Sequence, residues 1–457
     1  MNQKKWQNEI LPFYVKICFG MSSISKAAQG LVASTFLLFF YTEALNIPSN
    51  MAANVIFLGK VLDVLDDPLT GILLDRTRSK EGKCRFWLKC FSIPAGLMIT
   101  LSFWVPDMSP VGTILWVGIT YALQATASSL MQIPANTLMG RLTTNKQQQA
   151  HLNQISGLFS LTTNFALASI TLPLARALGN GDLRHGFAVL GVIYGVLYAT
   201  PFLVVWAGTK GYEPIDTAKE SFTEPISTRD SISALLSNEI WLCVIGMYLL
   251  DMVSTTLESS SMVYYFTYNI GNTDLLSLYS AVAGIANAVI FLTLHKFTAR
   301  LGNSGTAMGG CILTIAAHLF RFLFHDSSVS VMVLGWFFSN AGACMIAGTI
   351  LPNLFDAKTY GEWKTGVAGE AVAMSGFTLS TKIGMALGTS GVGWLLALVP
   401  YVEGAAHQVS DVTTMLFYMG TLMPAGLFAL ALLLCVPIFK REKEIVQMRE
   451  EIKARKT

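Results

Sequence analysis

Three carboxylates within five residues, Asp63, Asp66 and Asp67, stand in the run Lys60-Val61-Leu62-Asp63-Val64-Leu65-Asp66-Asp67-Pro68-Leu69-Thr70-Gly71. At 100° per residue, Asp63 and Asp67 fall one turn apart on one helix face, with Lys60 and Asp66 beside them. The surrounding residues, roughly 51 to 74, are apolar enough to read as a membrane-spanning helix. A carboxylate at membrane depth costs about 3 kcal/mol unless it is paired, protonated or coordinated. One lysine cannot neutralise three acids. Pro68 has no N–H and so frees the carbonyl of Val64 for water or an ion. These groups suit the reversible binding of a proton or a monovalent cation along a transport path. The alternative is that the acids lie beyond a helix end, in the loop that opens near Asp75.

The helix that must position them belongs to a membrane chain. Of the 457 residues, 53% are hydrophobic and only 13% are charged, against about 25% charged in soluble domains. Mean hydropathy is +0.52. The net charge of +3 says little about partners. Seven cysteines (Cys18, Cys84, Cys90, Cys243, Cys311, Cys344, Cys435) show no metal-ligand spacing and read as packing residues. No cleavable signal pattern, nucleophile elbow, phosphate loop or His-rich metal motif is present, so neither an enzyme nor a metal-structured fold is expected.

Taking about 20 residues per span, twelve spans are expected near 13–40, 51–74, 86–105, 111–138, 152–177, 185–207, 239–268, 275–297, 306–325, 329–354, 369–399 and 411–439. The fold class is therefore all-α and polytopic. It divides into an N-terminal six-helix half (1–207), a polar linker (208–237), a C-terminal six-helix half (238–440) and a basic tail (441–457). Lysine and arginine gather in the loop Asp75 to Arg85, at Arg141 and Lys146, at Lys296 and Arg300, at Lys358 and Lys364, and in the tail. The loops 106–110 and 400–411 have none. This asymmetry places both termini in the cytoplasm. Basic loops follow spans 2 and 8 alike, a weak internal repeat that fits a 6+6 transporter architecture.

The remaining intramembrane polar residues are few. Lys26 in span 1, near Gln29, binds substrate or serves as counter-ion to Asp63 or Asp66. Lys382 in span 11, between Ser380, Thr381 and the small residues Gly384 and Gly388, balances or couples the acidic cluster. Asp251 and Glu258 in span 7 form a polar stripe with Ser254, Thr255 and Ser261, expected to line a central cavity. Span 4 carries Gln124, Thr126, Ser128, Ser129, Gln132, Pro134 and Asn136, which suit a hydroxylated ligand or a sodium ion, or else a hydrated helix interface. His318 and Arg321 read as solvated or snorkelling. Phe39, Phe40 and Tyr41 read as an interfacial belt. The loop 356–366, with Asp356, Tyr360, Glu362 and Lys364, is expected to form gating salt bridges with the Arg141 loop.

Two long motifs resemble a known family. Asp63-x-x-x-Asp67-Pro68-x-x-Gly71 followed by Asp75-x-Thr77-Arg78-x4-Lys83-x2-Phe86-Trp87, and Asp356-x3-Tyr360-Gly361-Glu362-Trp363-Lys364, are similar to those of the glycoside–pentoside–hexuronide:cation symporters. These form the melibiose-permease-like branch of the major facilitator superfamily. Tyr41-Thr42-Glu43, Ile133-Pro134 and Lys382 keep the same register, and the likeness runs over about residues 10–440. It implies that Asp63 and Asp67 bind the coupling Na⁺, Li⁺ or H⁺, with Lys382 as their neighbour and Lys60 at a basic family position. Asp66 replaces an asparagine that influences cation choice, and Ser129 replaces a threonine near the cation. The family's galactoside-binding aspartates correspond here to Ala27 and Gln132, and a supporting arginine to Gly157. Galactoside binding is therefore not inherited.

The expected function is a cation-coupled symporter, driven by H⁺ or Na⁺, importing a glycoside, uronide or other anionic sugar derivative by alternating access. The cation-binding set is Asp63, Asp66, Asp67, Ser129 and Gln132. The substrate set is Lys26, Gln29, Gln132, Asn136, Asp251 and Glu258. Loss of acids near the substrate and the added Asp66 favour an anionic ligand and proton coupling. The competing readings are a sodium-dependent lysolipid-type transporter, an uncoupled uniporter, and a non-transporting membrane sensor. No cofactor beyond the coupling ion and no nucleic acid is expected. The partners are a small polar solute and the bilayer of a cell inner membrane, and the chain is expected to act as a monomer.

Overall fold

The computed structural model describes residues 10–143, 145–214, 237–273, 275–324, 329–365 and 370–456. Most of the expected linker, 215–236, and Gly366 of the expected gating loop lie outside these residues.

Its elements are helices throughout. α1 is Phe13–Ala44, α-helical with two π-turns at Val32–Phe36 and Phe40–Ala44. α2 is Ser49–Arg76, α3 Lys83–Phe103, α4 Pro110–Leu142, α5 Lys146–Gly179 and α6 Leu183–Gly208. α7 is Glu239–Tyr268. Leu275–Leu323 is broken at Gly302 into α8 (275–301) and α9 (303–323). α10 is Val329–Thr365, α11 Glu370–Leu396, and α12 Ser410–Met419 continued as Leu422–Lys456. Among the described residues, nine segments are long and apolar enough to cross a membrane, one of them the whole of Leu275–Leu323. The acid-bearing α2 falls outside that set because of the charges that make it interesting. The protein is an all-α multi-pass membrane protein.

Helix starts follow from local chemistry. Ser109 caps α4 ahead of Pro110, Asn145 caps α5, Asp182 caps α6, and Asn238 accepts from Trp241 N at 3.0 Å to start α7. Two starts are capped from a distance. Glu213 accepts from Cys84 N and Arg85 N, both at 2.9 Å. Glu442 accepts from Asn303 N at 2.7 Å and Ser304 N at 3.2 Å.

The chain forms two compact units: 1–220 with 396–408, and 221–395 with 409–457. In the first, Gly96 and Gly195 let α3 and α6 touch backbone to backbone; a Cβ on Gly96 would stand 2.4 Å from Gly195 O. Phe40 packs on Phe103 and Phe187 at 5.2 Å. Phe39, Phe40 and Tyr41 are buried, so they are core and not an interfacial belt. Residues 396–408 join this unit through Glu403, which accepts from Ser49 N at 2.9 Å, and Tyr401, which donates to Glu43.

In the second unit, α11 lies against α7 through Gly384 and Gly388, whose added Cβ atoms would stand 2.4 Å from Met252 and 2.6 Å from Thr256. Residues 356–365 are not a loop. They are the last turns of α10, with Tyr360 buried and Ala357 O accepting from Asn238 at 2.8 Å.

Candidate functional site

All three acids lie within α2, which continues unbroken past Pro68 to Arg76, so they are not loop residues. α2 and α4 run in the same direction. Gly59 meets the ring of Tyr121, and two turns on, Asp66 and Asp67 meet Thr126 and Ser129. No side chain larger than hydrogen fits at residue 59, which is what lets the carboxylates reach α4.

Ser129 Oγ lies 2.9 Å from Asp63 Oδ1 and 2.8 Å from Asp67 Oδ1. A hydroxyl owns one hydrogen and can donate to only one of them. A proton on a carboxyl, or a cation beside the groups, would make the second oxygen pair favourable as well. Thr126 donates to Asp66, a contact that satisfies this acid with a neutral group. Asp63 and Lys60 are buried; Asp66 and Asp67 are half-buried.

One step along, α1 runs antiparallel to α4. Lys26 Nζ donates to Asn136 Oδ1 at 2.7 Å. Gln132 donates to Gln29 Oε1 at 3.2 Å and to Ser128 Oγ at 2.6 Å. The i, i+3 pair on α1 thus meets the i, i+4 pair on α4. Lys26 makes no ion pair among the described residues, so it is not a counter-ion to Asp63 or Asp66. The structure brings Lys26, Gln29, Asp63, Asp66, Asp67, Ser129, Gln132 and Asn136 together in the first unit. Thr126 was present in the polar run but carried no assigned role; its signal is its position three residues before Ser129 on the same α4 face.

The other expected residues sit elsewhere. Arg141 Nε bonds Glu213 Oε1 at 3.0 Å and its Nη2 bonds Pro214 O at 2.8 Å. Lys364 Nζ stands 3.4 Å from Glu239 Oε1 and 5.7 Å from the Tyr360 ring. Asp356 and Glu362 lie on the same last turns of α10, and Lys382 is half-buried on α11. Asp251 and Glu258 are both buried on α7. Glu258 does not share a free stripe with Asp251: it pairs with Arg321 on α9 at 2.5 Å. His318 and Arg321, 1% and 5% exposed, are neither solvated nor snorkelling. A charge so buried must be paired, and an arginine close to a helix end is compatible with either state in sequence.

Comparison with known proteins matches residues 18–439 to the family model described as MFS/sugar transport protein. The chain belongs to that family. This MFS sugar transporter is 28% identical to the isoprimeverose transporter of Lactiplantibacillus pentosus, over 93% of this chain and 88% of that one. It is 26% identical to a putative glycoside/cation symporter of Escherichia coli (91% and 89% covered). It is also 26% identical to a putative sulfoquinovose importer of Salmonella typhimurium (96% and 93%). The fold is that of solved relatives such as the Escherichia coli xylose transporter, with a TM-score of 0.62 at 12% identity, covering 92% of this chain and 97% of that one. The MFS glycoside–cation symporter resemblance drawn from the α2 and α10 motifs is the family relationship found. The protein is a membrane transporter of sugars, not an enzyme.

Proposed function

We propose that the protein is a proton-coupled symporter that imports a sugar carrying an anionic group, with both termini in the cytoplasm of a cell whose inner membrane it spans. The observation that carries the substrate reading is Lys26. Its ammonium is held by a neutral amide oxygen, beside Gln29 and Gln132, in a place that offers a sugar several hydrogen-bonding groups and one unpaired positive charge. A carboxylate or sulfonate completes that charge, and the amides take hydroxyls. The sulfoquinovose-importing name of one relative is consistent with such a ligand.

The coupling reading rests on Asp63 and Asp67 around one Ser129 hydroxyl. An ion or proton in that place neutralises the pair, and its loss on the cytoplasmic side resets the carrier, as alternating access requires. Lys60 and Lys382 are assigned to charge balance, and Arg141, Asp356, Tyr360, Glu362 and Lys364 to the cytoplasmic gate. The substrate set rests on Lys26, Gln29, Gln132 and Asn136, with Asp251 a buried carboxylate of the second unit and Glu258 taken up by Arg321.

The test is thermal unfolding of purified protein with uronates, sulfonated sugars and neutral glycosides, at two pH values with and without Na⁺. Ligands of the native state raise the melting point. Stabilisation by an anionic sugar, stronger at low pH and lost in Asp63→Asn, is expected. Stabilisation by neutral galactosides alone overturns the substrate reading. A requirement for Na⁺ at both pH values transfers the coupling role to sodium.

A further inference from the structure

The second unit contains a charged cluster that sugar and cation binding in the first unit do not use. Glu258 projects from α7, and His318 and Arg321, at i and i+3, project from α9 to meet it. Arg321 Nη1 lies 2.5 Å from Glu258 Oε1, His318 Nε2 lies 3.7 Å from Glu258 Oε2, and His318 Nδ1 lies 3.5 Å from Arg321 Nη1. The imidazole is thus set between a carboxylate and a guanidinium, with one nitrogen facing each. All three residues are buried, yet among the described residues His318 Nε2 and Arg321 Nε have no hydrogen-bond partner. Buried polar atoms are normally satisfied. Two such atoms on one three-residue cluster leave it donor and acceptor capacity for a different pairing.

Among the described residues, the neighbours of the cluster are aromatic or neutral groups. α10 supplies Trp336, whose ring lies 5.8 Å from the Arg321 guanidinium and 5.4 Å from the ring of Tyr279 of α8. Tyr265 of α7 faces Arg321, and Tyr279 faces both Glu258 and Arg321. α12 supplies Phe428, stacked on His318 at 6.2 Å, and Gly420, whose position an added Cβ would bring within 3.6 Å of Arg321 Nη2. Asp251, two turns earlier on α7, lies beside Cys311 instead. Phenols do not ionise at working pH, so the titrating groups are Glu258 and His318.

With one carboxylate, one guanidinium and a neutral imidazole, the cluster carries no net charge. One added proton unbalances it. On the imidazole it makes a second cation that competes with Arg321 for Glu258; on the carboxyl it removes the partner of Arg321. In either case Arg321 loses part of its hold on α7 and the ring of Trp336 becomes its nearest alternative partner. A metal ion is not the ligand this set suits, since it offers one carboxylate and one imidazole against a fixed cation.

We propose that Glu258, His318 and Arg321 form a second proton-binding site, an ionic lock whose protonation re-pairs α7, α9 and α10 within the second unit. It is separate from the acids of α2 and does not depend on their role. Arg321 lies in the last turn of its helix.

Trp336 supplies the readout. The difference in intrinsic fluorescence between the wild-type protein and Trp336→Phe isolates its emission. Titrated downward from about pH 8 to about pH 3.5, a span wide enough for a buried imidazole or carboxyl to take up a proton, that difference is expected to show one sigmoidal step. The step is expected to persist in Asp63→Asn/Asp67→Asn, to be indifferent to Na⁺, and to disappear in His318→Gln. Glu258→Gln provides a second variant, expected to move the midpoint by at least tenfold in proton concentration or to abolish the step. A flat wild-type titration overturns the proposal, as does a step that survives both His318→Gln and Glu258→Gln. A step lost only in the Asp63→Asn/Asp67→Asn protein also overturns it and returns the pH response to the first unit.

Discussion

Glu442 does for the start of α9 what Glu213 does for the start of α3. Glu213 follows the end of α6, Glu442 lies within α12 where its apolar stretch ends, and each accepts two consecutive backbone N–H groups. A carboxylate there satisfies helix-end donors and meets the positive end of the dipole. The residues just ahead are Gly82 and Gly302, at φ 96° and 76°. An added Cβ would stand 2.3 Å from Glu213 Oε2 and 2.7 Å from Glu442 Oε1. The weak repeat of basic loops after spans 2 and 8 thus has a structural counterpart, a glycine turn closed by a distant glutamate.

Gly82→Ala and Gly302→Ala should each destabilise the protein, by about 1–3 kcal/mol, from the left-handed backbone and the displaced carboxylate together. Glu213→Gln should cost about as much, because it also loses the Arg141 ion pair at 3.0 Å. Thermal unfolding in detergent measures this, and melting points equal to wild type would show that these caps carry no stability.

Ser129 separates a coupling role from a structural one. Ser129→Thr keeps the hydroxyl and should retain coupled uptake. Ser129→Ala removes the one donor shared by Asp63 and Asp67, and should weaken ion dependence by about tenfold, corresponding to roughly 1.4 kcal/mol. The ion concentration giving half-maximal uptake is the quantity to compare; equal values for the alanine and threonine variants would contradict the assignment.

Lys26→Gln should reduce binding of an anionic sugar by tenfold or more, since a charge-assisted hydrogen bond contributes about 1.5–3 kcal/mol. Binding of a neutral glycoside, if measurable, should change little. Isothermal titration with a matched uronide and glycoside pair distinguishes the two; equal losses for both would make Lys26 structural.

The α7–α11 contact leaves no room at two glycines. Gly384→Val and Gly388→Val should separate the helices and cost about 1–3 kcal/mol each, while Gly426→Ala, with nothing near an added Cβ, should be neutral. Thermal unfolding of the three variants side by side checks the ranking.

Glu81, in the exposed turn between α2 and α3, has its carboxyl held below the usual range by its hydrogen bonds to Lys89 and Trp206. A depressed carboxyl pKa contributes stability above its unfolded value, lost as pH falls through the folded one. Glu81→Gln should therefore lower stability slightly at neutral pH and leave it unchanged at low pH, where the wild-type carboxyl is protonated, so that the acid side of the curve is flatter; partial exposure of the side chain keeps the effect small.

Much of this is legible in the chain because the membrane imposes length and polarity so strictly. α2 can be recognised as a span despite Lys60 and three aspartates, since Leu69, Ile72, Leu73 and Leu74 continue beyond them. The pairing of Lys26 with α4 is not legible, because spacing places a residue on a face but does not choose the helix it meets. Asp251 and Glu258 share a face by spacing, yet Glu258 is taken up by Arg321 across to α9. Arginine near a span end has the same sequence context whether it snorkels or pairs inward. Asp356 to Thr365 read as a loop from its charges, whereas Tyr360 is packed inside and Asn238 ties the turn at Ala357, so the helix runs on.

The most direct test of the central claim is uptake into proteoliposomes with imposed gradients, using a labelled uronide or sulfonated sugar. An inward proton gradient should drive accumulation above equilibrium, with proton entry recorded by a trapped pH dye. Asp63→Asn should abolish both the accumulation and the proton entry while leaving equilibrative exchange detectable. Equal accumulation in wild type and Asp63→Asn, or transport that only equilibrates the sugar under every ion gradient, would contradict a coupled symporter built on Asp63, Asp67 and Ser129.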